Sequence, residues 1–256
     1  MTSQPQTALY IVTGSSRGMG EAIARQLLAP GHLVIGIARK RSAALQELAL
    51  AQGLALEQWE LDLNQPLAAA QHLQAWLQAQ DPARFSEATL INNAGVVATP
   101  GPVDEASLEE LSNALRVGLE ACLLLSSAFL RATTQLGAAR RILNISSGLG
   151  RRAMAGSASY CAAKAGMDNL SRAMALDEAA KPAGARIVSL APGIIDTDMQ
   201  VALRSGDPAK FPDVAVFANF KASGQLMSPE QAAAKVLTML QREDFGSQVL
   251  ADVREA

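Results

Sequence analysis

The sequence predicts an α/β protein built on a parallel sheet with helices on both faces. Three observations carry that expectation. Short apolar runs alternate with segments of helical spacing from residue 8 to residue 253. The runs are almost continuously apolar, as strands covered on both faces are. The first run ends in a glycine-rich turn that opens straight into helical spacing.

Ala8–Thr13 (ALYIVT) reads as the first strand and Met19–Leu28 as the helix that follows it. Leu33–Ala38 (LVIGIA) is a second strand, and the Ala/Leu/Glu-rich Ser42–Gln52 a second helix. Leu56–Leu61 reads as a third strand, and Pro66–Gln80 as a helix with proline at its start. Thr89–Ile91 is a short strand running into Asn92–Gly95, and Leu108–Leu136 a long helical stretch. Ile142–Ile145, Ile187–Leu190 and Val249–Val253 read as strands, with helices over Ser159–Ala180 and Pro229–Leu240 between them. Alternation of this kind implies βαβ units. Arg204–Gln225 breaks the pattern with Pro208, Pro212 and Gly224, and carries Phe211, Phe217 and Phe220, three of ten aromatics. Exposed phenylalanines need something to cover, so this irregular segment is expected to be a lid over an apolar pocket.

At 256 residues a single domain is the default, and residues 1–256 are expected to form one dinucleotide-binding catalytic unit. The charge sum, 22 − 24 = −2, lacks the basic excess of a nucleic-acid binder. Hydrophobic residues make up 49% and charged residues 18%, which favours a generous core and argues against disorder. Cys122 and Cys161 cannot build a disulfide framework, which suits a reducing, cytoplasmic setting. The opening MTSQPQTA lacks the basic and apolar regions of a signal peptide, and no uninterrupted apolar run reaches the ~18 residues of a membrane span. No membrane partner is expected.

The first strand ends in Thr13-Gly14-Ser15-Ser16-Arg17-Gly18-Met19-Gly20, a GxxxGxG spacing between strand and helix. Glycines let the backbone turn tightly and approach a pyrophosphate, and a helix N-terminus adds N–H groups and a favourable dipole. Tyr160 and Lys164 stand four apart at the start of a helix, which puts them on one face. A nearby ammonium favours the phenolate, so the pair can form a general acid/base usable near neutral pH.

TGSSRGMG, then NNAG at Asn92–Gly95, then Ser147 thirteen residues before YCAAK, then PGIIDT at Pro192–Thr197, resemble the motifs of a short-chain dehydrogenase/reductase. Order and spacing match from Thr13 to Thr197. The resemblance implies a Rossmann-type doubly wound, seven-stranded parallel sheet, a nicotinamide cofactor and a Ser–Tyr–Lys site. Carried over, Tyr160 donates a proton to a carbonyl and Ser147 hydrogen-bonds that carbonyl oxygen, with Ser146 the neighbouring alternative. Lys164 lowers the tyrosine pKa and holds the ribose. The glycine loop contributes Gly14, Ser16, Arg17, Gly18, Met19 and Gly20 to the cofactor site. Asp62 resembles the acid that touches adenine. Asn93, Ala94 and Gly95 pack beside the adenosine ribose, and Pro192, Gly193, Ile195 and Thr197 lie along the nicotinamide and phosphates.

The second strand ends at Ala38-Arg39-Lys40-Arg41, where an NAD-preferring member would carry an acid. Arg39, with Arg17 in the glycine loop, is expected to accept a 2′-phosphate, which makes the cofactor NADP(H). One departure stands out. The family commonly has an Asn in the long helix that anchors a relay water; here Gly118 occupies the position, and no Asn lies from Ala114 to Leu143. Ala191–Gln200 and the ending from Glu230 to Val253 resemble the branch holding the sepiapterin and bacterial benzil reductases. In that alignment Asp252 stands where the former bind substrate, gripping a pterin's 2-amino edge. The implied activity is NADPH-dependent reduction of a small-molecule ketone or diketone. Its alternatives are a non-catalytic scaffold of the same fold, supported by Gly118 alone, and a 3-oxoacyl reductase. Family members pair through the long helix and the Tyr160 helix, so a homodimer or homotetramer is expected. No motif suggests a metal.

Overall fold

The protein is described by a computed structural model covering residues 7–136 and 138–255. Its strands are β1 (Thr7–Thr13), β2 (His32–Ala38), β3 (Ala55–Glu60), β4 (Phe85–Asn92), β5 (Ala139–Ile145), β6 (Arg186–Ala191) and β7 (Leu250–Asp252). They form one sheet in the order β3-β2-β1-β4-β5-β6-β7, and every neighbouring pair is parallel. This is the doubly wound Rossmann-type sheet of seven strands. The direction of winding reverses between β1 and β4, which opens a crevice at the carboxyl ends of the strands.

Side chains of a strand alternate between faces. Tyr10 and Val12 of β1 join one core with Val34, Leu143 and Leu190. Leu9 and Ile11 join the other with Ile35, Leu90 and Ile142. Helices α1 (Gly18–Leu27), α2 (Ala43–Gln52) and α9 (Pro229–Gln241) close the first face through Ile23, Leu45 and Val236. Helices α3 (Pro66–Gln78), α5 (Ala121–Ala132) and α6 (Ala158–Ala179) close the second through Leu73, Phe129 and Met174. Ser42 is the cap of α2 and not its first turn: its hydroxyl accepts from the Leu45 N–H at 3.1 Å.

Strand β4 is longer than its apolar stretch suggests. It starts at Phe85 and carries Glu87, whose carboxylate pairs with Arg141 of β5 at 2.8 Å and with the Tyr10 hydroxyl of β1. A cross-strand partner makes a charge tolerable where periodicity argues against one. Between β4 and β5 the register pairs Asn92 with Asn144. The Asn92 amide donates to the Asn144 side-chain oxygen at 2.8 Å and to the Ser126 hydroxyl at 3.1 Å. Both asparagines are buried.

Two expectations are corrected. The long helix is not continuous: α4 (Leu108–Leu115) passes through a widened π turn, Arg116–Glu120, into α5, and helix ends at Ala132. The widening surrounds Gly118, where α6 comes closest; a Cβ there would stand 3.1 Å from the Ala163 Cβ. By length and composition the run Leu108–Ala132 is apolar enough to cross a membrane. Within the fold it lies against α3 and α6, and nearly half of its most apolar stretch is buried. The second correction concerns the segment before α9. It is partly helical, with α7 (Asp198–Arg204) leading in and α8 (Val214–Ala222) inside it. Leu203, Phe211 and Phe217 form a small separate core with Met154, Met199 and Phe220 around them, and this core lets a proline-interrupted stretch fold locally.

Candidate active site

A cavity of about 1090 Å³ runs along the carboxyl edge of the sheet. Every site residue expected from the sequence lines it except Asp252.

The floor is made where β1 and β4 end. Thr13 is buried, and its hydroxyl accepts from the backbone N–H groups of Asn93 and Ala94, both at 2.9 Å. The Asn93 side chain also donates to the Thr13 carbonyl, at 2.9 Å. That side chain fills the space over two glycines: a Cβ on Gly14 would sit 3.0 Å from its nitrogen, and one on Gly20 would collide with it and with the Gly14 carbonyl. Gly14 and Gly18 also hold φ of 71° and 56°, a region glycine adopts without penalty. Asn93 therefore acts through the loop it shapes. Thr13 was not singled out as a site residue, and only its place before Gly14 signalled it.

The charged residues at the cofactor end divide. Arg39 lines the cavity, is exposed, and has no hydrogen-bond or ion-pair partner among the described residues. Arg17 is engaged instead with Asp198 at the start of α7, at 2.6 Å across the cavity mouth. Asp62 ends its segment with a turn, its carboxylate accepting from the Asn64 N–H at 2.9 Å.

Ser147, Tyr160 and Lys164 converge past the end of β5. The Ser147 hydroxyl accepts from the Leu149 N–H at 3.1 Å and lies close enough to the Tyr160 phenol to influence its titration. The Lys164 ammonium donates to the Ile145 carbonyl at 2.6 Å and lies 5.7 Å from the centre of the Tyr160 ring. Gly95 lies beside it, and a Cβ there would make only ordinary contact, 3.6 Å from the Lys164 nitrogen. Ser146 is buried, and its hydroxyl lacks a hydrogen-bond partner among the described residues. It lines the cavity too.

The electrostatics differ from the expectation for the tyrosine. Burial pushes the Tyr160 phenol up, Ser147 opposes this, and Cys161 adds to the rise; Lys164 is not among the influences that move it. Desolvation is the largest influence on the phenol in the protein alone. Burial also lowers Lys164 to about 8, against the opposing pull of Cys122 and Asp168. The buried Cys122 thiol is itself pushed up to about 12 by desolvation, with Lys164 opposing. Asp168 is held by the Ser189 hydroxyl at 2.6 Å, and Arg151 approaches its other oxygen at 3.5 Å.

The substrate end is walled by Phe217, Phe220 and Met154, all part of the small core beside the cavity. Asp196 pins that wall, pairing with Arg204 of α7 at 3.5 Å and with Lys221 of α8. It lies inside PGIIDT, yet no local pattern shows partners that far along the chain. Asp252 does not take the place expected of it. It is buried at 3% exposure, and both carboxylate oxygens are bound by Arg254, at 2.9 Å to Nε and 2.6 Å to Nη2. The residue that reaches the cavity is Arg254.

Fold and site together define a class: an oxidoreductase working on carbonyl or CH–OH groups. The family model described as short chain dehydrogenase matches residues 8–208. The chain is 32% identical over 247 residues to a benzil reductase ((S)-benzoin forming) of Bacillus subtilis, covering 96% of this chain and 98% of that one. It is 32% identical over 251 residues to the sepiapterin reductase of Rattus norvegicus, covering 94% of each. Among solved structures it resembles a putative 2-deoxy-d-gluconate 3-dehydrogenase from Agrobacterium tumefaciens with bound NADP. That match has a TM-score of 0.78 and 26% identity, and covers 97% of this chain and 95% of the other. The chain belongs to the short-chain dehydrogenase family.

Proposed function

We propose that the protein is an NADPH-dependent carbonyl reductase acting on a small ketone or diketone. The observation that carries this is the meeting of Ser147, Tyr160 and Lys164 at one end of a groove whose other end holds the unpaired Arg39. The cradle suits a dinucleotide: Gly14 and Gly20 have no room for a side chain, so backbone faces the groove. Arg39 supplies a guanidinium fork for a 2′-phosphate, and a structural neighbour binds NADP. When bound, the nicotinamide supplies a hydride to the carbonyl carbon. Tyr160 gives its phenolic proton to the carbonyl oxygen. Ser147 hydrogen-bonds the same oxygen, and Lys164 holds the ribose while placing positive charge behind the tyrosine.

The segment 204–225 serves as the lid over the substrate end. The exposed Leu108, Leu123 and Leu176 on α4, α5 and α6 support pairing of two or four copies through these helices. Gly118 is the one observation favouring a non-catalytic scaffold.

The test is a panel of benzil, simple diketones and sepiapterin with NADPH, followed by loss of its absorbance. Turnover of at least one compound supports the reading. Binding of NADPH without turnover on any carbonyl assigns the chain to the scaffold instead.

A further inference from the structure

We propose that Arg254 sets substrate specificity, and that the substrate is a carbonyl compound carrying a second hydrogen-bond acceptor, a carboxylate above all. This deepens the reductase reading and rests on it. Strand β7 is the sheet edge next to β6, and Arg39 follows β2 near the opposite edge. Arg254 therefore lies at the far end of the cavity from Arg39, on the β6 side of Ser147. Its neighbour Val253 approaches Gly193, where a Cβ would stand 3.6 Å from the Val253 methyl.

The position is fixed from several sides. The Val253 N–H donates to the Ala191 carbonyl at 3.1 Å. Arg151 donates to the Ala251 carbonyl at 2.8 Å and approaches the buried Asp168. Asp252 then orients the guanidinium. Its Oδ1 accepts from Nε and from the Arg254 backbone N–H, both at 2.9 Å, and its Oδ2 accepts from Nη2. A guanidinium carries five N–H donors in a rigid fork. Two are spent on Asp252, and three remain for the cavity. The Arg254 side chain is 71% exposed although its partner is only 3% exposed.

Arg152 also lines this cavity and has no ion-pair partner among the described residues. The acids Asp196 and Asp198 on the lid side already have basic partners, which leaves Asp213. A buried carboxylate that already accepts three hydrogen bonds from Arg254 and does not line the cavity is not placed to receive the N–H edge of an aminopyrimidine. The outward donors of Arg254 can receive a carboxylate, or more weakly the second oxygen of a vicinal diketone.

The experiment compares benzoylformate with its methyl ester, using NADPH and the full chain. They share the reacting ketone and differ in one charge. The unmodified protein should prefer the acid, and Arg254→Met should lower the acid-to-ester ratio of kcat/KM roughly 10- to 100-fold. Arg254→Lys should recover part of it. Should Arg254→Met fail to fold, the unmodified protein still decides, since its acid preference must shrink as salt rises towards about 0.5 M. An ester preference, or an acid-to-ester ratio indifferent to both salt and Arg254, overturns the proposal. So does an Arg254→Met effect confined to the KM for NADPH. Turnover of diketones without acid preference overturns Arg254 alone; no turnover of any carbonyl overturns the reductase reading as well.

Discussion

Thr13 and Asn93, eighty positions apart, are joined by two hydrogen bonds, both donated by Asn93: its backbone N–H to the Thr13 hydroxyl, and its side-chain amide to the Thr13 carbonyl. The pair ties the glycine loop after β1 to the turn after β4. Thr13→Val keeps the shape and leaves the N–H groups of Asn93 and Ala94 without their acceptor. The expected cost is about 1–3 kcal/mol, or a melting-temperature fall of roughly 2–12 °C. Thr13→Ser should recover most of it, as thermal melts of the three proteins would show.

Tyr160→Phe should lower turnover roughly 100- to 10,000-fold while NADPH still binds. The ring and its packing remain, and only the proton donor is lost. Single-wavelength turnover and a fluorescence titration of NADPH measure the two properties separately. Retention of more than a tenth of the rate would mean that another group, such as Ser147, supplies the proton.

Cofactor preference should rest on Arg39. Arg17 shares an exposed ion pair with Asp198, so Arg39 is the guanidinium without a partner among the described residues, and a charge-assisted bond from it corresponds to roughly 10- to 100-fold. Arg39→Asp should erase or invert the ratio of kcat/KM between NADPH and NADH. Equal use of both by the unmodified protein would refute this.

Lys164 gives a pH dependence of definite sign. Its folded-state value is lowered to about 8 by burial. From about 8 up to the ordinary lysine value, the unfolded chain holds a proton at this residue that the folded chain does not. The stability contribution of Lys164 therefore rises with pH through that window and is depressed below it. Urea melts of the protein and of Lys164→Met at pH 8 and pH 10 should show the difference between them change in that direction.

Phe211→Ala should loosen the lid selectively. Phe211 is fully buried, and it stacks on Phe217 at 5.6 Å. Aromatic truncation in a core costs about 3–5 kcal/mol, and here the loss falls on a small cluster apart from the two faces of the sheet. Limited proteolysis should cut between residues 204 and 225 faster in the variant, with the main melting transition moved little.

The order of strands and helices, and the cavity lining from Gly14 to Thr197, were legible in the sequence because they rest on local spacing. Tyr160 and Lys164 share a helix face, and the glycines sit where strand meets helix. What was not legible depends on partners distant in the chain. Arg17 lines the cavity as its place in the glycine loop suggests, but its pairing with Asp198, far along the sequence, has no local signal. Asp252 reads as an anchor because its type suits one, and only the path of the backbone shows Arg254 folding back on it. The break at Gly118 is invisible to hydrophobic periodicity, since the residues on either side keep their helical spacing. Helix α8 escaped notice because its apolar residues face a core of their own.

The rung formed by Asn92 and Asn144 has a consequence for alignment. A slip of one residue between β4 and β5 would break the hydrogen bond between the two amides and turn one strand's side chains to the other face, at about 1–3 kcal/mol for a buried amide left under-paired. A strand advances about 3.3 Å per residue. The same slip would raise or lower the turn carrying Ser147 by that distance relative to the turn carrying Asn93, more than the length of a hydrogen bond. Two buried amides thus act as an index mark, and the height at which the serine leaves the sheet is settled inside the sheet and not by the loops.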